Sequence, residues 1–190
     1  MTFDTIENAL YGLHFVPMTR GYAEEIVTWH YPEYPLFQVS PDETEFEIKV
    51  LLEPLYNYCV GLNHAGQIVG FCCYGADARV PGGDYAEIDA LDVGLGLHPA
   101  LVGKRLGLRF LMAILAHGDA RFAPRHYRAT IAVFNIASRR VFEQAGFRLF
   151  KTFKSTSIRP LEFVILVKDS APHDITPKDI APTGSTPAPR

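Results

Sequence analysis

Two segments of the chain carry residue types suited to chemistry. The first runs from Leu97 to Gly107 and sets Gly103 beside two adjacent cations, Lys104 and Arg105, where a strand is expected to pass into a helix. Free backbone N–H groups at a helix start carry partial positive charge, so the segment predicts a site for phosphate or pyrophosphate. Alternatively, the glycines serve only chain geometry and the cations only a solvated surface.

The second segment follows a predicted strand and reads Asn135, Ser138, Phe142 and Gly146-Phe147 along a predicted helix. In this order and at this separation, the two segments resemble the signature blocks of the GNAT N-acetyltransferase superfamily, and the first is similar to its acyl-CoA pyrophosphate loop. The segments 29–35 and 91–99 further resemble a bacterial GNAT subgroup whose acceptor is unassigned. The resemblance covers about residues 11–168.

The resemblance implies acetyl-CoA as co-substrate and no metal. It implies that a strand offers backbone groups to pantetheine, that loop amides cradle the pyrophosphate, and that a helix side chain lies near the thioester. Asn135 is also suited to be the N-cap of its helix, which does not exclude cofactor contact. The implied cofactor-binding residues are Val93, Leu95, Leu97, Val102, Gly103, Lys104, Arg105, Leu106, Gly107, Asn135 and Phe142.

The glycines of the predicted strand offer an independent reason for a ligand there. In a regular strand Asp92, Gly94 and Gly96 share one face, and residues without side chains let a ligand approach the backbone. A β-bulge with no ligand is the competing interpretation.

Three positions depart from the family pattern. Val102 stands where Gln or Arg is usual, Arg105 where Gly is usual, and Phe142 where a Tyr commonly protonates the leaving thiolate. Arg105 indicates an altered loop or a direct arginine–phosphate contact, because a positive φ disfavours Arg. Loss of the tyrosine need not abolish activity, because the pKa of a thiol is about 8.5 and its thiolate leaves readily.

Direct attack by an amine requires a base, because a lysine-like ammonium ion must first lose a proton. Asp92 is the leading candidate, since it lies on the strand beside the implied thioester site, and Glu87 and Asp89 are the reserves. Each could instead be an ordinary structural carboxylate. A backbone N–H near Leu95 would stabilise the negative oxygen.

The acceptor is expected to be a small-molecule amine or a peptide N-terminus. Aromatic faces attract ammonium groups, which makes Trp29, Tyr31, Tyr34 and Tyr74 candidate substrate-binding residues, although such residues more often belong to a core. Two alternatives stay open: a CoA-binding sensor or scaffold with little catalysis, and a transferase that prefers another acyl-CoA.

These residues require a particular order of elements. Hydrophobic periodicity and turn residues predict one strand, two helices, three strands, a helix, a strand, a helix and two strands. We therefore expect an α/β fold with a GNAT-like mixed, mostly antiparallel central sheet flanked by helices, whose central strands diverge. One predicted strand is long, from Tyr85 to Leu97, and the helix after it is expected over Lys104 to Arg121.

Composition limits the remaining possibilities. The 190 residues are 48% hydrophobic, which suffices for one domain, expected over 1–168 and followed by a Pro-rich disordered tail over 169–190. The formal charge of −3 argues against a nucleic-acid partner. No signal peptide or membrane span is expected, and three cysteines without a secretion signal favour the cytoplasm.

Overall fold

The computed structural model describes residues 8–35, 38–157 and 159–170. The remaining residues, including 171–190 of the predicted tail, lie outside the described part. The strands are β1 His14–Pro17, β2 Cys59–Leu62, β3 Ile68–Tyr74, β4 Leu91–Leu97, β5 His126–Ala132, β6 Arg148–Lys154 and β7 Glu162–Asp169. The helices are α1 Arg20–Ile26, α2 Thr44–Leu52, α3 Gly107–Phe122 and α4 Ile136–Gln144.

The seven strands form one sheet in the order β1-β2-β3-β4-β5-β7-β6. All neighbouring strands are antiparallel except β4 and β5, which are parallel. The expected fold class, a mixed and mostly antiparallel sheet flanked by helices, is confirmed.

The central strands β4 and β5 diverge after a short paired segment. Only Leu91 and Asp92 pair with β5, opposite Tyr127 and Arg128, whereas β4 pairs with β3 over the whole range from Val93 to Leu97. A gap therefore opens between the two strands towards their C-terminal ends.

Helices cover the two faces of the sheet with separate apolar clusters. On one face, α1 and α2 pack over β2 and β3 through a cluster that includes Ile26, Trp29 and Val60. On the other face, the fully buried Phe110 and Ile114 of α3 join Phe142 of α4 in the main core. Apolar residues cover most of the circumference of α3 because the helix lies between the sheet and α4.

The predicted long strand from Tyr85 to Leu97 is wrong in its first half, because β4 begins only at Leu91. The carbonyl oxygens of Tyr85 and Ile88 accept hydrogen bonds from the Arg128 guanidinium at 2.9 and 3.0 Å. A side chain thus takes the acceptors that a neighbouring strand would have used, and residues 79–90 form a loop on the sheet face that carries Arg128.

The start of α3 also differs from prediction. α3 begins at Gly107 instead of Lys104, because Gly103 (φ 74°) and Arg105 (φ 61°) take left-handed conformations that a helix cannot contain. Before α2, residues Pro41–Glu43 form a 3₁₀ turn, and the Ser40 hydroxyl donates to the Glu43 carboxylate at 2.7 Å. Within the described residues, no helix has the length and apolar character that a membrane crossing requires.

Candidate active site

The gap between β4 and β5 is lined on one side by unpaired backbone groups. In an antiparallel pair, alternate residues direct both backbone groups at the partner strand. Hydrogen bonds from His98 N to Val69 O and from Gly75 N to Asp92 O show that the even-numbered residues of β4 face β3. The backbone groups of Val93, Leu95 and Leu97 therefore point into the gap, which is where the resemblance implied pantetheine.

One of these groups already has a side-chain partner. The Tyr31 hydroxyl donates to the carbonyl oxygen of Leu97 at 2.9 Å. Burial raises the pKa of Tyr31, so its hydroxyl keeps the proton that makes this hydrogen bond. Tyr31 thereby ties the segment after α1 to the open end of β4.

The loop between β4 and α3 presents free amides. The N–H groups of Val102 and Lys104 are used in turns, donating to Pro99 O and Leu101 O. Within the described residues, no backbone carbonyl accepts from the N–H groups of Gly103, Arg105 or Leu106, and the first turn of α3 adds further unpaired N–H groups. Such a cluster of N–H groups at the positive end of a helix dipole suits a phosphate.

Arg105 keeps the left-handed conformation that glycine adopts more easily. Its φ of 61° belongs to a region that costs a non-glycine residue about 1–2 kcal/mol, so the loop retains this shape in spite of the side chain. The sequence left two interpretations of Arg105, an altered loop or a direct arginine–phosphate contact. The left-handed conformation makes an altered loop unnecessary, and the phosphate contact stays a prediction. Val102, Lys104 and Arg105 are all exposed around the loop.

Helix α4 lies beside the start of α3. A Cβ on Gly107 would lie 3.0 Å from Cγ2 of Val141, so this glycine allows the close approach of the two helices. Asn135 caps α4, because its side-chain oxygen accepts from Ser138 N at 3.1 Å. Phe142 is only 3% exposed and packs edge-on against Phe147, with ring centroids 5.0 Å apart, in the core beneath the gap.

The glycines of β4 have a packing reason. Their predicted shared face is correct, because the register with β3 is regular and contains no bulge. However, a Cβ on Gly96 would lie 2.3 Å from the Phe71 ring, and one on Gly94 would lie 2.8 Å from Cys73 Sγ. The expectation that a ligand fills the space above these glycines is therefore wrong, since Phe71 and Cys73 already fill it. The open approach is along the strand edge that faces β5.

Asp92 lies at the base of the gap and is 1% exposed. Arg128 binds it in bidentate fashion, through Nε to Oδ1 at 2.6 Å and Nη2 to Oδ2 at 2.7 Å, and Arg79 Nε reaches Oδ2 at 2.7 Å. The carboxylate thus accepts three of the roughly four hydrogen bonds available to it. These contacts do not fit the expectation of a carboxylate free to take a proton, so its role as base stays a prediction.

The reserve carboxylates lie away from the gap. Glu87 is exposed and pairs with Lys151. Asp89 helps line a groove of about 400 Å³ with Arg125 and His126, near the N-terminal end of β5, whereas the gap opens at the other end. Within the described residues, no group of His, Cys, Asp and Glu side chains is arranged to hold a metal ion.

The predicted acceptor aromatics separate into two kinds. Tyr74 is fully buried, and its hydroxyl donates to Ile114 O on α3, which does not fit the expected contact with a substrate, so its assignment to the substrate site stays a prediction. Trp29 is 7% exposed and packs against Phe71 and His98 as part of the core, so its assignment to the substrate site also stays a prediction. Tyr74 lies against α3, and Trp29 lies against β3 and the loop after β4, contacts between distant parts of the chain that the sequence alone could not indicate.

Tyr31 and Tyr34 stay beside the gap. The ring of Tyr34 lies 6.4 Å from that of Phe134, the second residue after β5, so the segment after α1 reaches towards the far side of the gap. Phe134 and its neighbour Val133 are each 39% exposed. Aromatic and apolar groups therefore surround the open end of the gap.

Three residues of the site were missed in the sequence: Arg79, Tyr85 and Arg128. Both guanidinium groups stack on the Tyr85 ring, with Cζ of Arg128 at 4.8 Å and Cζ of Arg79 at 5.3 Å from the centroid. The available signal was an arginine within a buried apolar strand, because a buried Arg requires a buried acidic partner. Only Asp92 lies on the adjacent strand at the paired position.

Comparisons with known proteins agree with this geometry. Residues 13–148 match the family described as acetyltransferase (GNAT) domain. No curated protein matches the sequence significantly.

Solved structures share the fold at low sequence identity. The proposed acetyltransferase yncA from Salmonella typhimurium, solved with its cofactor acetyl-CoA, is 18% identical with a TM-score of 0.58, covering 86% of this chain and 96% of that one. Spermidine N-acetyltransferase from Vibrio cholerae, in complex with CoA and spermine, is 14% identical with a TM-score of 0.62, covering 84% and 96%. A proposed phosphinothricin N-acetyltransferase is 16% identical with a TM-score of 0.61, covering 84% and 99%.

The family match covers most of the chain. It includes α1, α2, the diverging strands, α4 and the loop 98–106 between β4 and α3, which we call the amide-rich loop. The chain therefore belongs to the GNAT acetyltransferase family.

Proposed function

We propose that this protein is an N-acetyltransferase that transfers the acetyl group of acetyl-CoA to a primary amine by direct attack on the thioester. The observation that carries the proposal is the gap after Asp92, where the backbone groups of Val93, Leu95 and Leu97 are free of β5. The amide-rich loop continues from the same strand, so one extended ligand with a pyrophosphate and an amide-bearing arm suits both.

The chain's own residues would bind the co-substrate mainly through backbone groups. The free N–H groups of Gly103, Arg105 and Leu106 suit the pyrophosphate, and the exposed Lys104 and Arg105 side chains add positive charge. The edge of β4 suits the amides of pantetheine. Acetyl-CoA supplies an activated acetyl thioester.

In the proposed reaction, the neutral amine nitrogen forms a C–N bond with the carbonyl carbon while the C–S bond breaks. Coenzyme A leaves as a thiolate, and the surplus proton of the amine passes to a base or to water. The backbone N–H of Leu95 faces the gap and suits the negative oxygen that develops. No covalent bond to the enzyme is needed.

The acceptor is proposed to be a small-molecule amine. Two of the solved structures that share the fold are named for such a transfer: one is a spermidine N-acetyltransferase, and the other is a proposed phosphinothricin N-acetyltransferase. Both names denote transfer to nitrogen. The aromatic groups Tyr31, Tyr34 and Phe134 line the open end of the gap, where such an amine would approach. We also infer, from the composition, that the protein acts in the cytoplasm.

A second candidate function rests on Phe142. This side chain lacks a hydroxyl and is buried, so α4 offers no acid at this position, and a CoA-binding sensor with little catalysis would share the same site. A third candidate, a preference for another acyl group, predicts faster turnover with propionyl- or succinyl-CoA than with acetyl-CoA.

The test is release of free CoA thiol from acetyl-CoA, screened over amino acids, polyamines, aminoglycosides and peptides with a free N-terminus. Amine-dependent thiol release is expected. Tight acetyl-CoA binding without thiol release for any amine of the panel would instead support the sensor.

Placement of the pyrophosphate is tested by Gly103→Glu, which should weaken CoA binding at least tenfold because it sets a carboxylate beside the phosphates. Gly103→Ala is the matched control, since it brings the same backbone strain at φ 74° into open space without charge. An unchanged dissociation constant for the Glu variant, measured by calorimetry, would refute the placement.

A further inference from the structure

An ion-pair cluster at the base of the gap carries more positive than negative charge. Its members are Asp92, which is 1% exposed, Arg128, whose side chain is 3% exposed, and Arg79, whose side chain is 43% exposed. Two guanidinium groups share one carboxylate. Two other acidic residues of the loop, Asp84 and Glu87, pair with Lys151. The third, Asp89, lies in the groove beside Arg125 and His126, and within the described residues none of the three forms an ion pair with Arg79 or Arg128.

The two arginines differ in how fully they are used. Arg128 binds Asp92 through Nε and Nη2, and its Nη1 donates to the carbonyl oxygens of Tyr85 and Ile88. Arg79 donates to Asp92 through Nε alone. Within the described residues, its two terminal nitrogens make no hydrogen bond or ion pair, so Arg79 keeps two free donors on an exposed edge.

Arg79 is also held in place on several sides. Its ring contact with Tyr85 orients the guanidinium plane, and the Tyr85 hydroxyl accepts from Val80 N at 2.8 Å and lies 3.2 Å from the Thr130 hydroxyl on β5. The turn that follows is tied down as well, because Thr156 N donates to Pro81 O at 3.0 Å. A guanidinium fixed in this way loses little conformational freedom when it binds an anion.

Counted from the open end at Tyr31, Arg79 lies beyond the Leu95 N–H that is proposed to hold the negative oxygen, at the closed end of the gap. Its partner Asp92 is the last β4 residue that pairs with β5, and Val93, the next residue, already faces the gap. Ala78, which precedes Arg79, lies over Gly94. A Cβ added to Gly94 would be 3.5 Å from the Cβ of Ala78. Arg79 thus stands on the sheet face opposite α3, whereas the core closes the α3 face.

We propose that Arg79 binds the carboxylate of the acceptor, and hence that the acceptor is an amino acid or a closely related amino-carboxylic acid. The proposal rests on the proposed transferase function and names its substrate class. Two parallel N–H donors on a fixed fork match the two oxygens of a carboxylate. The same surplus of positive charge disfavours a polyamine at this position.

The test compares acceptors that differ only in the carboxylate: L-amino acids and their α-amides, in the thiol-release assay with acetyl-CoA. For the wild-type protein, kcat/KM should be at least tenfold higher for the acid than for the amide, mainly through a lower KM. In Arg79→Gln this acid-to-amide ratio should fall at least tenfold. Arg79→Lys should restore only part of it, because lysine lacks the bidentate fork.

Arg148→Gln is the matched control, since it removes an exposed arginine at the start of β6 and should leave the ratio as it is. Wild-type preference for amides or polyamines, or an unchanged ratio in Arg79→Gln, would overturn the carboxylate site while leaving the transferase intact. If Arg79→Gln fails to fold, the acid-to-amide ratios of the wild-type protein and of Arg79→Lys still test the carboxylate site.

If no amine gives turnover, calorimetry measures instead whether amino acids bind to the complex of the protein with CoA. Binding that is lost in Arg79→Gln and only weakened in Arg79→Lys would uphold the carboxylate site and refute the transferase. Absence of amino-acid binding would refute the carboxylate site.

Discussion

At the scale of single residues, Asp92 is the position where structure most changes the interpretation. Removing one partner of a buried ion pair leaves the other charge uncompensated, so Asp92→Asn should lower the free energy of unfolding by about 3–5 kcal/mol. Urea denaturation measures this loss. Arg128→Met in the same chain should recover part of it, because it removes the unpaired charge.

The same variant tests the prediction that Asp92 is the base. A base role requires turnover at neutral pH to fall much more than CoA affinity while the variant stays as stable as the wild type. Loss of stability together with a reduced acid-to-amide ratio would instead indicate that Asp92 acts by positioning Arg79. Unchanged kinetics of Asp92→Asn would show that Asp92 has no role in the active site.

His98 offers a prediction about pH. Burial lowers its pKa, an effect that the charge of Glu25 partly offsets, and its Nδ1 accepts from Ala100 N at 3.2 Å, which requires that nitrogen to be unprotonated. Between the lowered folded-state pKa and the ordinary value of about 6.5, the unfolded chain binds a proton that the folded chain does not. Acidification through this window should therefore destabilise the protein.

The expected outcome is a smaller loss of stability in His98→Gln than in the wild type when the pH falls from 7.5 to 5. Thermal unfolding at the two pH values measures the difference, and other titrating groups cancel in the comparison. Equal losses in both proteins would mean that His98 titrates alike in the folded and unfolded chains.

At the scale of elements, the pairing of β3 with β4 depends on glycine. In Gly96→Ala, the new methyl group would lie 2.3 Å from Cε1 of Phe71, so the ring or the strand must shift. Overpacking of this kind costs about 1–3 kcal/mol in the free energy of unfolding. Phe71→Leu in the same chain should recover part of the loss.

Gly21→Ala is the control for this prediction. Gly21 lies in α1, and a Cβ there would meet nothing within 4 Å, so the substitution should stabilise the protein by about 0.5–1 kcal/mol. Equal effects of the two substitutions in urea denaturation would contradict the packing role of Gly96.

At the scale of the whole molecule, the last contacts of the described domain are made by Ser170. Its N–H donates to Arg125 O at 2.9 Å and its hydroxyl donates to Asp119 at 2.7 Å. We predict that a chain ending at 170 keeps the melting temperature and the CoA affinity of the full chain. Loss of CoA binding would show that residues 171–190 take part in it.

A chain ending at 166 is the contrasting variant. It lacks the end of β7, where Val167, Lys168 and Asp169 pair with the first three residues of β5. Because β5 forms one side of the gap, this variant should melt at a lower temperature and bind CoA more weakly.

Local patterns in the sequence determined much of this protein. Helical periodicity, turn residues and the glycines before α3 predicted the element order, the amide-rich loop and the shared face of Asp92, Gly94 and Gly96. These features depend on residues close in the chain, where each side chain's preference acts on its own backbone.

The tertiary structure alone decided which partners those residues meet. Alternation along a strand indicates which residues share a face, but not whether a ligand or the Phe71 ring covers it. Likewise, alternation could not indicate that Tyr74 packs in the main core. Asp92 and Arg128 are 36 positions apart, and only the parallel pairing of β4 with β5 makes them an ion pair. Burial and long-range contact, which set the chemistry of each side chain, arise only when the sheet is assembled.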